Sequence, residues 1–423
     1  MTDKQKMLDV NHRDRDRRLM AVGRLSLLQD DGRLSFPPAG EDVNSHIHTI
    51  YSFSPYSPAA AALKSKEAGL ATCGIMDHDS VSGAKEFTLA GEALGIKTTV
   101  GCEIRTSFKG TFLENERINN PDQKGVAYVA LHGIPERSLA AVDQFLQPIR
   151  EARGRRNEKM AEKIAALLSP HGISYTYDEV KDLSQATEGG SITERHLFYA
   201  VALKLKEKAM SEKRPLSEMT EEVLGLTLND KQRGMLDDED NPHLLYDLLG
   251  IMKSDLTARV YVDATDELPD IRDVVRFAKA NGILLAYPYL GDIGESVTGD
   301  KKAQAFEDAY LDRLLPLLVD LGFEVITFMP SRNTAEQLDR LMALAKKYDL
   351  FQVSGEDINQ SRQSFVCEAM RDAKFDHLKR AAHALIGHEK AANKNLSHGF
   401  LSDEMKAAYP DLDARIAYFS GLS

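Results

Sequence analysis

The chain has 423 residues, of which 43% are hydrophobic and 28% charged, and its formal net charge is −12 at pH 7. This length suits a large barrel with insertions or two domains, and the acidic balance argues against a broad basic surface for nucleic acid. No apolar run approaches the roughly 20 residues that span a bilayer, and the three cysteines form no Cys-x-x-Cys pair. We therefore expect a cytoplasmic protein without a membrane segment.

The first part of the chain predicts alternating helices and strands. Residues 2–29 are expected to form a polar helix that is a solvated arm or a packing appendage, and residues 32–40, which contain two prolines, a linker. Further helices are predicted at 58–68 and 82–94, and strands at 43–51, 71–76, 97–104 and 125–131. This alternation is typical of a parallel α/β sheet or barrel.

The second part begins with a long helix at 139–168, whose arginine-rich segment 150–159 is expected to be a solvated face. Charged helical pieces at 206–256 predict an inserted cap beside the core. Strands are then predicted at 283–286, 324–328 and 351–353, with helices at 303–318 and 334–347. The expected division is an arm and linker at 1–40, a barrel at 41–365 with an insertion at about 203–265, and a helical extension at 366–423.

The predicted strand at 43–51 carries His46 and His48 with one apolar residue between them. In an extended strand, residues two apart point to the same face, so both imidazoles can aim at one point. Two neutral imidazoles that converge are a typical beginning of a transition-metal site. Since the pattern is common, the polar residues that follow decide its interpretation.

Polar residues also stand at the ends of the next predicted strands. Asp77 and His78 follow one strand, Glu103 lies near the end of the next, and His132 ends the fourth. In parallel α/β folds the active site lies at the carboxyl ends of the strands. We therefore expect these side chains to meet, because scattered core histidines would not share that placement.

The ordered series of motifs resembles the PHP (polymerase and histidinol phosphatase) domain of metal-dependent phosphoesterases. The resemblance covers roughly residues 42–360. In chain order the motifs are His46-Ile47-His48-Thr49, Met76-Asp77-His78-Asp79-Ser80, Gly101-Cys102-Glu103-Ile104, Leu131-His132-Gly133, Arg195-His196, Ala286-Tyr287-Pro288 and Ser354-Gly355-Glu356-Asp357. One such motif means little, whereas the ordered series is specific.

The resemblance implies a fold, a set of ions and a reaction class. The fold is a distorted (β/α)7 barrel, expected here with a helical insertion and a C-terminal helical extension. Members carry two or three ions of manganese, zinc or iron, and their activities include hydrolysis of histidinol phosphate and nucleotide phosphates and exonucleolytic proofreading. Carried over by motif, the ligands of two ions are His46, His48, Glu103 and Asp357 for the first, with Glu103 bridging to a second that His132 and His196 complete.

Two departures from the family pattern concern a third ion. The family usually has an acidic residue or a histidine shortly after the His-x-His-Thr run, where this chain has Ser52-Phe53-Ser54. The Asp-x-His near the end of the barrel reads Asp357-Ile358-Asn359. Phenylalanine cannot bind a metal, and a neutral amide oxygen is a poor ligand for a transition metal. We therefore predict two divalent transition-metal ions (Mn, Zn or Fe) and no third.

Further residues are expected to act on the substrate or to position the site. His78, freed from a third ion, is predicted to contact the phosphate or to protonate the leaving alkoxide. Asp77 or Asp79 is expected to accept a hydrogen bond from a ligating imidazole. Tyr287 stands where the family often has histidine and is expected to hydrogen-bond a phosphate oxygen. Arg195, in an altered Arg-Pro-His signature, is expected to donate to a phosphate.

The favoured function is hydrolysis of a phosphate ester, in a small phosphorylated metabolite or a nucleotide, by a metal-activated water at a two-metal site. An alternative is a metal-binding regulatory or scaffold module that does not hydrolyse, motivated by the changes at Phe53, Tyr287 and Asn359. A nuclease is less favoured, because the chain is acidic and lacks a basic stripe with aromatic residues. The sequence leaves the oligomeric state open.

Overall fold

The computed structural model describes residues 9–293 and 304–423. Its seven strands are β1 (Val43–Ile47), β2 (Thr72–His78), β3 (Lys97–Ser107), β4 (Val126–His132), β5 (Leu284–Pro288), β6 (Val325–Phe328) and β7 (Phe351–Ser354). Helices of the first half are α1 (Arg15–Asp30), α2 (Pro58–Glu67), α3 (Ala84–Leu94), α4 (Leu139–Leu168), α5 (Tyr177–Asp182), α6 (Glu194–Glu212) and α7 (Leu216–Leu224).

The later helices are α8 (Asp230–Asp237), α9 (Leu244–Asp255), α10 (Thr257–Val260), α11 (Ile271–Ala280), α12 (Leu311–Leu321), α13 (Ala335–Lys347), α14 (Asp376–Lys394), α15 (Asp403–Ala408) and α16 (Leu412–Ser420). The helix predicted at 303–318 corresponds to α12, and its expected first residue, Ala303, lies outside the described residues. Within 9–293 and 304–423 we find no helix that is both long and apolar enough to cross a membrane.

The strands form one sheet in the order β1 to β7. β1, β2 and β3 are parallel to one another, as are β5, β6 and β7, whereas β4 is antiparallel to both of its neighbours. The expectation of a parallel β4 was wrong. The connection at 108–125 doubles back through one short 3-10 helix and provides no crossover helix of the kind that joins parallel strands.

The sheet curls until its two ends meet. The segment after β7 bridges to β1: Ile358 accepts a hydrogen bond from the His48 N–H and donates one to the His46 carbonyl, at 2.9 and 3.1 Å. Gly355 permits this approach, because a Cβ there would lie 2.6 Å from the backbone nitrogen of His46. The predicted distorted barrel is therefore confirmed, and its closure brings Asp357 beside the histidines of β1.

Alternate residues of the strands face two apolar layers. Ile75 and Leu285 lie in the outer layer with the surrounding helices, while Met76 and Leu284 lie in the inner layer. The inner layer is completed by α14, which contributes Ala381, Ala384 and Leu385. The confirmed C-terminal extension thus fills the inside of the curled sheet beneath the metal-binding motifs.

A separate apolar cluster lies in the helical insertion between β4 and β5. It is built from the second half of α4 and from α6 to α10, from Met160 to Val260. Phe53, from the loop after β1, belongs to this cluster. The loop therefore connects the packing of the insertion to the strand that carries His46 and His48.

Two charged segments contain buried arginines. In α1, Arg18 is fully buried and forms a bidentate ion pair with Glu86 of α3, with hydrogen bonds of 2.8 and 2.6 Å. In α4, Arg153 and Arg156 are also buried. The expected solvated face was wrong for α4, because acids distant in sequence neutralise its guanidinium groups, whereas α1 is packed, which was one of the two expectations for it.

Candidate metal centre

Four potential ligands converge at the closed edge of the barrel. The Nε2 atoms of His46 and His48 lie 3.2 Å apart, and Oε2 of Glu103 lies 3.9 Å from Nε2 of His46. Oδ1 of Asp357 lies 3.0 Å from Nε2 of His48. In the part of the chain that the structure describes, His46, His48 and Glu103 are the one group of three such residues with ligand atoms within 4.8 Å of one another.

Local structure explains the convergence. His46 and His48 flank Ile47, whose side chain enters the outer apolar layer, so the two imidazoles share the opposite side. Glu103 pairs with Ala130 of β4, which faces the inner layer, so its carboxylate also points inward. The bridge through Ile358 supplies Asp357 from the other end of the sheet.

A chain of hydrogen bonds fixes the proton of His48. Ser52 Oγ donates to Asp77 at 2.6 Å and lies 3.3 Å from Nδ1 of His48. Since the serine proton is directed to the carboxylate, the serine oxygen accepts from a protonated Nδ1. Thr49 donates twice to the same carboxylate, at 2.6 Å each. Nε2 of His48 is therefore the atom that faces His46 and Asp357, and a cation that displaced its proton would meet its lone pair.

Burial and neighbouring charges set the ionisation of the four groups. Burial lowers the pKa of His46 to about 4, which keeps this ring neutral. Burial raises the pKa of Glu103 to about 8, because a carboxylate here faces no cation close enough to compensate for the lost water. Burial also opposes ionisation of Asp357, but the charge and hydrogen bond of His48, with the charges of His46 and Arg195, together outweigh it and hold the pKa well below its usual range.

This donor set fits a divalent transition metal. Two imidazole nitrogens and two carboxylate oxygens suit Mn, Fe or Zn. A cation among them would also stabilise the buried carboxylate form of Glu103. The cluster therefore supports divalent-metal binding by His46, His48, Glu103 and Asp357.

His78 and Asn359 lie directly against this cluster. Nδ1 of His78 is 3.2 Å from Oε2 of Glu103, and its ring centroid is 4.6 Å from that of His48. Asn359 donates from Nδ2 to Oδ1 of Asp357 at 2.7 Å. The asparagine that departs from the family pattern thus orients a predicted ligand.

His196 caps the start of α6, and its role as a ligand stays a prediction. It lies in the first turn of α6, and its Nδ1 accepts a hydrogen bond from the backbone N–H of Thr193 at 3.1 Å. The ring of Phe53 meets it edge-on, with centroids 5.0 Å apart. Burial lowers the pKa of His196 to about 3. Its observed hydrogen bond is that of a helix cap.

His132 lies on the face of the sheet that carries Glu103. Glu103 pairs with Ala130 of the antiparallel β4, and His132 follows two residues later, so both side chains turn to the same side. Burial and the charge of His46 lower the pKa of His132 to about 3, and its buried Nε2 has no hydrogen-bond partner among the described residues. The role of His132 as a ligand stays a prediction.

Tyr287 points away from the cluster. It lies in the outer apolar layer, while its neighbour Ala286 faces inward. Its hydroxyl is buried and donates to Oε1 of Glu307 at 3.4 Å. This position gives no support to the predicted phosphate contact by Tyr287, because strand alternation turns its side chain to the other face.

An ion-pair network anchors the start of α6. Arg153 contacts Asp79 at 2.5 Å and Glu194 at 2.8 Å, while Arg156 pairs with Glu194 and Glu267. Asp79, one of two expected acceptors for a ligating imidazole, is instead paired with Arg153. The other, Asp77, supports His48 through Ser52.

Arg195 follows Glu194 and has an unsatisfied donor. Its Nη1 is buried and has no hydrogen-bond partner in the described part of the chain. Burial lowers the pKa of Arg195, and the charge of Asp357 opposes this effect. The guanidinium of Arg195 therefore interacts electrostatically with a member of the cluster. An anion bound beside the Arg195 guanidinium would accept a hydrogen bond from this donor.

Sequence reasoning missed Ser52, Asn359 and Tyr128. From the sequence, Ser52 and Asn359 were interpreted only as belonging to segments where the family has a metal ligand and this chain has none. In the structure Ser52 contacts His48 and Asn359 donates a hydrogen bond to Asp357. The ring of Tyr128 lies 5.5 Å from that of His78. The signal for Tyr128 was available only from strand register, since it faces Arg105 across the antiparallel β3–β4 pair.

Comparison with known proteins agrees with these observations. Residues 44–183 match the family model of the PHP domain, so the predicted resemblance is confirmed. A Bifidobacterium adolescentis protein, assigned by name to the metal-dependent phosphoesterases, has a similar fold, with a TM-score of 0.50 and 17% identity over 80% of this chain and 98% of that chain. An amidohydrolase from Chromobacterium violaceum gives a TM-score of 0.48 at 18% identity, over 77% and 90% of the two chains.

A curated relative is a 5'-3' exoribonuclease from Haemophilus influenzae. It is 26% identical over 151 residues, which are 36% of this chain and 47% of the relative. This chain therefore spans about half the length of the relative that it matches. With the four converging ligands, the family match supports a metal-dependent hydrolase.

Proposed function

We propose that this chain, with its PHP domain match at residues 44–183, hydrolyses the phosphate ester of a small metabolite or nucleotide in a metal-dependent reaction. The observation that carries the proposal is the convergence of His46, His48 and Glu103, with Asp357 3.0 Å from His48. A divalent ion held there would polarise a phosphoryl oxygen and supply a nucleophilic water at neutral pH.

The surroundings of the cluster favour an anionic substrate despite the acidity of the whole chain. The charge of Asp357 acts on three cations, Arg195, Lys253 and Arg332. Although Lys253 is exposed as a residue, the charge of Arg195 and local desolvation lower its pKa to about 8. Because Asp357 acts on all three, these cations lie around the cluster, where they would attract a phosphate.

Arg195 is the residue that we assign to phosphate binding. Its buried Nη1 has a free donor, and a guanidinium can give two parallel hydrogen bonds to phosphate oxygens. Glu194, the preceding residue, is fixed by Arg153 and Arg156, so the backbone that carries Arg195 is held in place. The network thus preorganises the donor before substrate binds.

His78 is the candidate for a direct phosphate contact. Its ring lies between Glu103 and Tyr128, and its side chain is 20% exposed, which allows contact with a bound substrate. Burial and the charge of His48 lower the pKa of His78 well below its usual range. A neutral ring of low basicity is a poor acid and a poor base at neutral pH, so of its two predicted roles we propose the hydrogen bond to the phosphate.

The proposed reaction is based on the first ion. The predicted second ion would require His132 and His196 beside Glu103, and it stays a prediction: Nε2 of His132 is buried without a partner among the described residues, and His132 lies on the face that carries Glu103. Asp77 is proposed to act through Ser52 as a positioning residue. Tyr287 has no role in the proposal, because its hydroxyl is directed to Glu307.

A nuclease is the second candidate function, favoured by the exoribonuclease among the relatives. That match covers less than half of the relative, so more than half of that protein has no counterpart in the alignment. A 5'-phosphorylated oligoribonucleotide would present the same terminal phosphate chemistry to Arg195. The two candidates differ in the length of the substrate rather than in the groups that bind the phosphate.

A substrate panel tests the proposal. The Mn²⁺-loaded protein is assayed for phosphate release from phosphomonoesters and nucleotides, and for shortening of oligoribonucleotides. We expect turnover of at least one small phosphate ester, abolished in His46→Ala. Turnover of oligonucleotides alone would select the nuclease. No turnover with any substrate, with Mn²⁺ demonstrably bound, would select the non-hydrolytic module and overturn the proposal.

A further inference from the structure

We infer that the hydroxyl of Tyr128 donates a hydrogen bond to the phosphate of the substrate, beside the guanidinium of Arg195. The inference rests on the proposed function and adds a further substrate-binding side chain to it. Tyr128 lies in β4 and was not among the residues that the sequence placed in the site. Its face of the sheet, its neighbours and its hydroxyl group each support the assignment.

Strand register places Tyr128 on the face of the sheet that carries Glu103. Glu103 pairs with Ala130 of β4, and Tyr128 precedes Ala130 by two residues, so the side chains of Glu103 and Tyr128 turn to the same side. Tyr128 pairs with Arg105, which follows Glu103 by two residues towards the carboxyl end of β3. Since substrates of α/β folds bind outside the carboxyl ends of the parallel strands, Tyr128 stands on the substrate side of Glu103.

Tyr128 has both proposed phosphate-binding residues, His78 and Arg195, as neighbours. The rings of Tyr128 and His78 have centroids 5.5 Å apart and are tilted by 43°. Burial lowers the pKa of Arg195, and the charges of Asp357 and of an ionised Tyr128 oppose this effect. The phenol oxygen therefore lies within electrostatic reach of the same guanidinium that interacts with Asp357. A phosphate held by a metal ion at the cluster and by Arg195 would lie beside Tyr128.

The hydroxyl of Tyr128 has no hydrogen-bond partner in residues 9–293 and 304–423, although the side chain is half-buried. Outside the β3–β4 ladder, this residue is bonded through its backbone, whose N–H donates to Oδ1 of Asn119 at 2.8 Å and whose carbonyl accepts from Nδ2 of Asn119 at 3.0 Å. A tyrosine hydroxyl withdrawn from water normally has a partner. The phenol is protonated at neutral pH, so the partner that it lacks here can be an anionic oxygen.

Asn119 holds Tyr128 in this position. The pairing of β4 with β5 includes Ala130 but not Tyr128, and the amide of Asn119 bonds the Tyr128 backbone on that side. The same amide donates to the carbonyl of Pro288 in β5 at 2.7 Å, and Asn119 is buried. The backbone of Tyr128 is thus fixed before substrate binds, which favours a positioned donor over a mobile one.

Inorganic phosphate is the probe that tests the inference without turnover. Its Kd is measured by calorimetry on the Mn²⁺-loaded wild type and on Tyr128→Phe, which keeps the ring against His78 and removes only the hydroxyl. We expect the Kd of phosphate to rise about tenfold or more, because a hydrogen bond to a charged acceptor is lost, while the Kd of Mn²⁺ stays unchanged. The matched control is Tyr348→Phe. Tyr348 is half-buried, its hydroxyl has no partner in the described part of the chain, and it lies just before β7, at the amino end of that strand.

The outcomes separate this inference from the proposed function. An unchanged Kd of phosphate in Tyr128→Phe, an equal rise in Tyr348→Phe, or a Mn²⁺-loaded wild type that binds no phosphate would overturn the inference. A loss of Mn²⁺ affinity in Tyr128→Phe would also overturn it, because the residue would then support the metal rather than the substrate. Weaker phosphate binding in Tyr128→Phe alone supports it, and would do so even if the wild type turned over no phosphate ester, a result that overturns only the proposed function.

Discussion

Nε2 of His46 lies 3.2 Å from Nε2 of His48, although the two residues are separated by a buried isoleucine. Both rings turn to one side of the strand, and closure of the barrel adds Asp357 to the same point. Two ring nitrogens held this close and beside two carboxylates are suited to share a cation. The following predictions test how the surrounding residues support that arrangement.

Ser52→Ala should weaken Mn²⁺ binding by about tenfold or more, because the His48 Nδ1 proton would lose its acceptor. Calorimetric titration measures the change. The matched control is Ser54→Ala, since Ser54 is also buried but accepts a hydrogen bond from the Tyr56 N–H. Equal losses in the two variants would show that Ser52 does not orient His48.

Metal affinity should rise with pH up to about pH 8. Burial raises the pKa of Glu103 to about 8, so this carboxyl is largely protonated at neutral pH in the absence of metal. A metal ion must displace that proton, and affinity should increase by about a decade per pH unit below the pKa and level off above it. Titrations across this range, with protons counted from the buffer dependence of the enthalpy, measure the effect. An affinity independent of pH would contradict it.

Arg195→Met should lower kcat/KM for a phosphate ester by about 10- to 100-fold, since a hydrogen bond to a charged group is worth roughly 1.5–3 kcal/mol. Metal binding should change little, because Arg195 is not a ligand. The control is Arg276→Met, which removes an exposed arginine paired with Asp273. A large loss of metal in Arg195→Met would assign the residue to the metal centre instead.

Arg18→Met should destabilise the protein by about 3–5 kcal/mol, because it leaves Glu86 buried without its partner. The free energy of unfolding in urea measures this loss. Arg17→Met, at an exposed neighbouring position, should change it by less than about 0.5 kcal/mol. Similar values for the two variants would show that α1 does not pack as described.

The sequence predicted the parts of the fold that depend on local pattern. Strand β3 was expected at 97–104 and runs from Lys97 to Ser107, and α4 was expected at its observed bounds. His46, His48, Glu103 and Asp357 were expected together and are together. Alternation of side chains along strands and the order of motifs are sufficient for these features.

The direction of a strand was not predictable in the same way. A run of apolar residues indicates that β4 is a strand, but it carries no information on whether β4 runs with or against β3. The position of His132 depended on that direction, and so did that of Tyr128, which lies four residues earlier in β4 and contacts the ring of His78. Register, rather than composition, decided which residue faces His78.

Long-range charge pairing was also hidden from the sequence. Arg153 looked like part of a solvated face because its partners, Asp79 and Glu194, are distant in the chain. The same is true of the contact between Phe53 and His196, which depends on packing of the insertion against the loop after β1. Local patterns identify candidate ligands, whereas these contacts decide which of them have free lone pairs.

The most direct test of the central claim is the release of phosphate by metal-free protein before and after addition of Mn²⁺, with wild type and His46→Ala compared on the same phosphate esters. The account predicts that turnover appears in the wild type on addition of Mn²⁺ and stays absent in His46→Ala. Equal turnover in the two proteins, or turnover that does not depend on the metal, would contradict it.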